Sequence, residues 1–551
     1  MDLAEDIRKF FKGEVDDTAA VLDTYSRDAS VFCVQPQLVV FPKDVEDIKK
    51  LVAYAGAAAK HGTHISLTAR AGGSDMSGGP LTESVVVEFT KYIHDLKEIK
   101  DDYAVVEPGM YYRDFEKKTL EAGLIMPSYP ASRELCTVGG MVSNNSGGEK
   151  TLSYGKTERY VEELNVVLSD GNEYIFHALS EQELAEKKQL GTFEGEVYRK
   201  MSALIEENRE VITAAKPQVT KNSSGYFLWN VSDPAVGTFD LIKLIVGSQG
   251  TLGFVTKIKF KLVRPKPFSR MLVIFLKDLS PLADLTRQML ACKPESFESY
   301  DDNTFRIAIR FFPEILERIK GSIFRLALSL LPEAWMVLRG GIPKLVLLAE
   351  FTANTREEAD AQARAAEQQL KKTYPSLKMR VTRSDEEGQE FWLIRRESFN
   401  LLRHHVRGLR TAPFIDDLSV RADLLPEFLP KLYEILGRYK LLYTVAGHVG
   451  DGNFHIIPLM DFSDPKIKEI ITNLSKEVYS LVAQYKGSIT GEHNDGLIRT
   501  PFVKEEFGEK VYNLFEQTKK IFDPDGIFNP GKKVGATLEY ALAHLDTEKK
   551  S

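Results

Sequence analysis

Ala69-Arg70-Ala71-Gly72-Gly73-Ser74-Asp75-Met76-Ser77-Gly78-Gly79-Pro80 lies between two apolar runs, Ile65 to Thr68 and Ser84 to Phe89, each of which reads as a strand. Its glycines permit positive φ and let backbone N–H groups approach a ligand closely. Ser74 and Ser77 add hydroxyl donors, which makes the loop a nest suited to a pyrophosphate. The order is not Gly-x-Gly-x-x-Gly, and a second strand rather than a long helix follows. Neither a dinucleotide-binding βαβ unit nor a P-loop therefore fits. Upstream, Pro42 to His61 reads as a helix after a short strand, with Asp44 as N-cap and Val45, Ile48, Leu51 and Val52 on one apolar face.

Two further segments repeat this chemistry. Pro127 to Gly148 contains Ser132, Thr137, Gly139, Gly140, Ser143, Asn144, Asn145, Gly147 and Gly148, and taken singly it reads equally well as a run of tight turns. Ile245-Val246-Gly247-Ser248-Gln249-Gly250-Thr251-Leu252-Gly253 is the third. Three such loops, separated by apolar strands such as Tyr103 to Glu107 and Glu163 to Leu168, point to one large cofactor.

The chain has 551 residues, is 43% hydrophobic and 27% charged, and carries a net charge of -7. That is an ordinary globular composition for about two to four domains. It offers no basic footprint for nucleic acid. Cys33, Cys136 and Cys292 are too far apart for a Cys-x-x-Cys site and odd in number, so reduced thiols are expected. The acidic start, Met1 to Asp6, is unlike a signal peptide and implies the cytoplasm. Ile323 to Phe351 is interrupted by Arg325, Glu333, Arg339 and Lys344, well short of the ~18 apolar residues a span needs. Phe311 to Arg339 reads as two amphipathic helices broken near Gly321 and Pro332, a core or subunit interface, with peripheral contact to the inner face of a membrane as the alternative.

Beyond Pro265 the glycine-rich pattern ends. Met271 to Leu276 and Lys344 to Phe351 read as strands and Arg356 to Lys372 as a helix, a compact α+β domain. Phe391 to Glu397 contains Arg395 and Arg396, whose guanidinium forks suit a carboxylate. Leu441 to Val449 and Asn453 to Leu459 flank Asp451-Gly452, the signal for a two-residue hairpin turn. That register sets His448 opposite His455, with Cβ atoms about 5 Å apart, a spacing that suits two nitrogens on one metal ion. Glu492 and His493 add a carboxylate and a third imidazole.

The order Ala69 to Ser74, Val106-Glu107-Pro108-Gly109, Thr137-Val138-Gly139-Gly140 and Gly247 to Gly253 resembles the FAD-binding domain of the vanillyl-alcohol-oxidase-like (PCMH-type) flavoproteins. Within them the chain is similar to the D-lactate, glycolate and D-2-hydroxyglutarate dehydrogenase branch. His448 to His455 and Gly491 to Gly496 carry that branch's signature. The resemblance implies an α+β fold: a two-subdomain FAD-binding domain over residues 1–262, then a ferredoxin-like cap over 263–480 that brings the substrate, with a helical insertion about 305–340. A C-terminal segment, 481–551, returns Glu492 and His493 to the flavin.

By the same resemblance, Arg70, Ala71, Gly72, Gly73, Ser74, Asp75 and Ser77 surround the pyrophosphate of FAD, and Pro108 and Gly109 lie on its adenine side. Pro127, Thr137, Gly140, Ser143, Asn144 and Gly147 continue along the diphosphate and flavin, with Ile245, Gly250 and Asn529 close to the nucleotide and ring. Neither of the first two loops holds a His, and Cys136 only adjoins Thr137, so non-covalent FAD is expected. His448, His455 and Glu492 are implied ligands of one divalent metal, Zn, Mn, Fe or Co, with His493 as base and Arg395, Arg396 or Asn453 on the substrate. Asn494 replaces the glycine usual in relatives and is expected to narrow the pocket or turn the backbone at His493.

The activity implied is oxidation of a D-2-hydroxy acid to the 2-oxo acid, with a quinone, an electron-transfer protein, a cytochrome or oxygen as acceptor. A non-redox transferase resembling the alkyl-glycerone-phosphate synthases is the alternative, and a non-catalytic flavoprotein the third.

Overall fold

Leu38–Phe41, Val85–Glu88 and Leu67–Arg70 lie side by side and parallel, with Glu14–Asp16 antiparallel on the outer edge. The computed structural model describes residues 3–304, 306, 341–393, 395 and 408–547. Within this first sheet the helix Val45–Lys60 makes the parallel crossover, and the Asp44 carboxylate accepts from Asp47 N–H, as an N-cap should. Ile48, Leu51 and Val52 are fully buried in the cluster that also holds Val40, Leu67 and Val85.

A second, antiparallel sheet follows, in the order Leu96–Lys100, Tyr103–Val106, Phe254–Lys261, Val161–Val167, Glu173–His177. The second glycine-rich segment is not a mere run of turns. Val138–Asn144 is a two-turn helix whose N-cap, Thr137, accepts from Gly140 N–H. Successive glycines hide this helix in the sequence because their propensity opposes it, and the cap and the packing override that.

The third, antiparallel sheet falls within residues 263–480, the stretch expected as the cap. Leu345–Ala353 lies between Phe268–Leu276 and Ser296–Asp301, and Ser296–Asp301 in turn pairs with Leu442–His448. Helices Leu282–Ala291 and Arg356–Thr373 cover one face through Leu285, Met289, Ala363, Ala366 and Leu370. Leu418–Ser419, paired with Asn453 and Phe454, is a strand of only two residues, because Asp417 just before it takes a positive φ of 70° that breaks the extended run.

The helix Gly496–Phe522 joins the two halves. It is kinked at Gly508, φ 77°. Leu497, Ile498 and Phe502 pack into the cap core, whereas Val511, Leu514 and Phe515 pack into the core of the second sheet. The chain then returns to the first sheet, where Asn529 N–H donates to Leu67 O at 3.0 Å. Among the described residues no helix is long and apolar enough to cross a membrane. The insertion expected about 305–340, including Ile323 to Leu338, lies outside the described residues, apart from Arg306.

Glu350, on Leu345–Ala353, is 8% exposed, and burial, reinforced by Glu149 and Glu295, pushes its carboxyl up to about 7 from 4.5. The folded chain keeps a proton that the unfolded chain releases, so stability falls as pH rises from about 4.5 to about 7 and the loss is complete above that window. Glu350→Gln should match the parent near pH 4 and exceed it by up to about 3 kcal/mol at pH 8. Thermal melts at the two pH values check this, and an equal gain at both would exclude ionisation as the cause.

Candidate active site

The hairpin at the centre of the site is longer than its Asp-Gly signal suggests. Val449–Asp451 forms a 3-10 turn closed by Gly452 at φ 67°, so the loop has four residues rather than two. His448 faces Asn453, Gly447 faces Phe454 and Ala446 faces His455, which corrects the expected direct pairing of the two histidines to a diagonal one. The turn is set by its neighbour: a Cβ on Gly452 would lie 1.8 Å from Val420 O, and Val420 N–H donates to Gly452 O at 2.9 Å. Because side chains alternate with period two, both imidazoles still share one face, their ring centroids 5.3 Å apart.

Glu492 Oε1 completes the group, 3.2 Å from Nε2 of both His448 and His455. Each imidazole is turned inward by a carboxylate on its other nitrogen, Glu298 at 2.6 Å from His448 Nδ1 and Asp416 at 3.1 Å from His455 Nδ1. Two imidazoles and one carboxylate, with the far nitrogens held by carboxylates, fit a divalent cation. Asp416 also lies 2.9 Å from His493 Nδ1, and His493 stacks on His455 at 5.0 Å and 25°.

Burial acts to lower His455, but Asp416 and Glu492 outweigh it and push the imidazole up to about 10. His493 is raised against the same burial by Asp417 and Asp416. Burial acts to raise Glu492, yet Lys221 and His448 hold it well below the usual carboxylate range.

Asp417 holds the Glu492–His493 turn in place. Its Oδ2 accepts from the N–H groups of Glu492 at 2.8 Å and His493 at 2.7 Å and from Thr490 Oγ1 at 2.7 Å, while Oδ1 accepts from Asn453 Nδ2 at 2.9 Å. Arg499, fully buried, donates to Asn494 O and Asp416 O at 3.1 and 2.8 Å. Asn494 does not narrow the cavity. Its φ is 71°, and its side chain points away, donating to Gly247 O at 2.9 Å and accepting from Lys533 Nζ at 2.6 Å.

A single cavity of about 620 Å³ joins this cluster to the glycine-rich loops. Its walls include Arg70 to Asp75, Pro108, Thr137, Gly140, Ser143, Asn144, Gly147, Ile245 and Gly250 together with Arg395, His448, His455, Glu492 and His493. Ser77, Gly109, Pro127, Asn453 and Asn529 are not in the lining. Ser77 Oγ donates to Asp75 at 2.8 Å, Gly109 packs on the Phe89 carbonyl, and Asn529 Nδ2 donates to Gly79 O at 3.0 Å and Gln249 O at 2.7 Å.

Arg395 forms a 2.5 Å ion pair with Glu298, whereas Arg396 lies outside the described residues. The three cysteines are free, and burial pushes the Cys136 thiol up to about 12. Lys221, Glu298, Arg499 and Asp417 are residues of the site that no motif in the sequence marked. The one local signal was a charged residue, Glu298, inside the buried strand Ser296–Asp301.

The FAD binding domain family matches residues 36–176, and the C-terminal domain of the FAD linked oxidases matches residues 266–533. The D-2-hydroxyglutarate dehydrogenase of Pseudomonas putida is 27% identical over 95% of this chain and 50% of its own length. The glycolate oxidase subunit GlcD of Bacillus subtilis is 25% identical over 94% of this chain and 93% of its own. The chain thus spans about half the length of the first relative. A solved structure of p-cresol methylhydroxylase with substrate bound superposes with a TM-score of 0.66 at 14% identity, covering 97% of this chain and 96% of that one. At that identity the likeness is one of fold: the α+β PCMH type.

Asp417→Ala strands the N–H groups of Glu492 and His493, at about 1–3 kcal/mol for each buried donor left unpaired. The melting midpoint should fall, as read by scanning calorimetry. An unchanged midpoint would show that water replaces the carboxylate.

Proposed function

Because the chain joins an FAD binding domain to the C-terminal domain of the FAD linked oxidases, we propose that it is an FAD-dependent dehydrogenase. Its substrate is a D-2-hydroxy acid such as D-2-hydroxyglutarate or D-lactate, or the smaller glycolate, and its product is the 2-oxo acid. The observation that carries this reading is the cavity whose walls hold both the glycine-rich loops and the histidine–carboxylate cluster. Relatives named as D-2-hydroxyglutarate dehydrogenase and glycolate oxidase subunit, similar along most of this chain, support it.

FAD, when bound, supplies the two-electron acceptor for the hydrogen on C2. Arg70 to Asp75, Thr137, Gly140, Ser143, Asn144, Ile245 and Gly250 would hold it. A thiol as reluctant to ionise as Cys136 favours non-covalent attachment. A divalent cation, Zn, Mn, Fe or Co, would be held by His448, His455 and Glu492 and would supply stabilisation of negative charge on the hydroxyl oxygen.

The remaining work falls to side chains. Arg395, braced by Glu298, presents a planar fork to the substrate carboxylate. His493, its Nδ1 held by Asp416, offers Nε2 as the base that takes a proton from the substrate. Loss of the C2 hydrogen with its electron pair would leave positive charge on carbon were the hydroxyl proton not removed, so the base and the C2 hydrogen must be served by one pose. His493 and Arg395 both line the cavity, which supports such a pose.

Anaerobic flavin absorbance, titrated with D-lactate, L-lactate, glycolate and D-2-hydroxyglutarate before and after chelation, tests this. Bleaching by a D-acid that chelation abolishes and added divalent metal restores is the expected result. Flavin left oxidised by every acid in metal-loaded protein sinks the reading and brings the transferase or binding-protein alternative forward. His493→Gln should slow turnover by about 10²–10⁴-fold with FAD content unchanged.

A further inference from the structure

The ammonium of Lys221 is 0% exposed and sits where separate parts of the chain meet. Its Nζ lies 3.0 Å from Glu492 Oε2, 3.3 Å from Gly148 O, 3.5 Å from Asn453 Oδ1 and 3.8 Å from Asp451 Oδ2. Gly148 belongs to the second glycine-rich segment, Asp451 and Asn453 to the hairpin tip and Glu492 to the C-terminal segment. The other oxygen of Glu492, Oε1, is the one 3.2 Å from both imidazole Nε2 atoms. One carboxylate is therefore divided between a fixed ammonium and the two histidines.

This division has two physical consequences. A carboxylate oxygen already paired with lysine cannot swing round to ligate as a second arm, and a carboxylate whose charge is partly neutralised gives less of it to a cation. A buried like charge nearby also weakens cation binding, because a low-dielectric interior screens it poorly. A more weakly satisfied cation polarises a hydroxyl oxygen more strongly.

We infer that Lys221 is a positioning residue that confines Glu492 to one ligating oxygen and reduces the negative charge a divalent cation meets beside His448 and His455. The binding half of this inference stands on the geometry, and only its kinetic half rests on the dehydrogenase reading. A lysine that merely filled space would, on removal, loosen Glu492 and weaken the cation. A lysine that withholds charge does the opposite.

The test uses the whole 551-residue chain, FAD-loaded, stripped of divalent ions and titrated with Mn²⁺, with free ion read from its paramagnetic resonance signal. Lys221→Gln and Lys221→Met should bind Mn²⁺ at least about fivefold more tightly than the parent, and Lys221→Arg should stay within about twofold. At saturating Mn²⁺ the neutral variants should lose kcat for the hydroxy acid while KM holds. Weaker or equal Mn²⁺ binding in the neutral variants, or loss of FAD from both, overturns the inference in favour of a structural role. Mn²⁺ binding in no form, with flavin still bleached by a D-acid, overturns it alone. The expected Mn²⁺ order without flavin reduction by any acid supports Lys221 and sinks the dehydrogenase reading.

Discussion

The carboxylate of Asp417, receiving the N–H groups of two successive residues, Glu492 and His493, is the contact on which the site depends. Two consecutive amides can point at one oxygen only if the chain turns sharply there, so this bond sets where the adjoining carboxylate and imidazole emerge. The surroundings are densely charged. Lys533 is 2.9 Å from Asp495 and Lys221 is 3.0 Å from Glu492, each pair buried. An unpaired charge in such a place costs several kcal/mol, so the seam closes only when every contributor is in position. Those contributors come from the first half, the cap and residues 492–533.

That constraint ties the chemistry to the assembly of the whole chain. The helix Gly496–Phe522, kinked at Gly508, packs its first turns on the cap and its later turns on the second sheet. It carries the Glu492–His493 turn at its N-terminal end into the gap between the two, where the cavity runs from the glycine-rich loops to the histidines. Carboxylates then decide the orientation of each ring. Glu298 and Asp416 hold the Nδ1 atoms, so the Nε2 atoms of His448 and His455 are directed at Glu492. A side chain whose far end is held keeps its near end ready for chemistry.

Much of the fold was legible because it is written in local patterns. The Asp44-capped helix, the strands Val85–Glu88, Phe268–Leu276 and Leu345–Ala353, and the absence of a long helix after the first glycine-rich loop all follow from spacing over a few residues. The candidate ligands were legible for a subtler reason. A loop of four residues replaces the expected loop of two, yet period-two alternation returns His448 and His455 to the same face in either register. The short helix Val138–Asn144 was not legible, since its stability comes from its cap and its packing rather than from its own glycine-rich residues.

The sequence by itself therefore determined most of the secondary elements, the glycine-rich loops and the shared face of His448 and His455, because each is encoded by residues close together or by a period that tolerates a shift in register, while Glu492 joined the His–His–Glu set only through the family resemblance. Only the tertiary structure decided which buried charges support that set. Lys221 meets Glu492 across 271 positions and Glu298 meets His448 across 150. Asn494, read along the chain as an intruder in the pocket, points instead at Gly247 and Lys533. Pairings across such distances leave no periodic trace. They are selected by the cost of leaving a buried charge or donor alone, which exists only once the chain has folded around it.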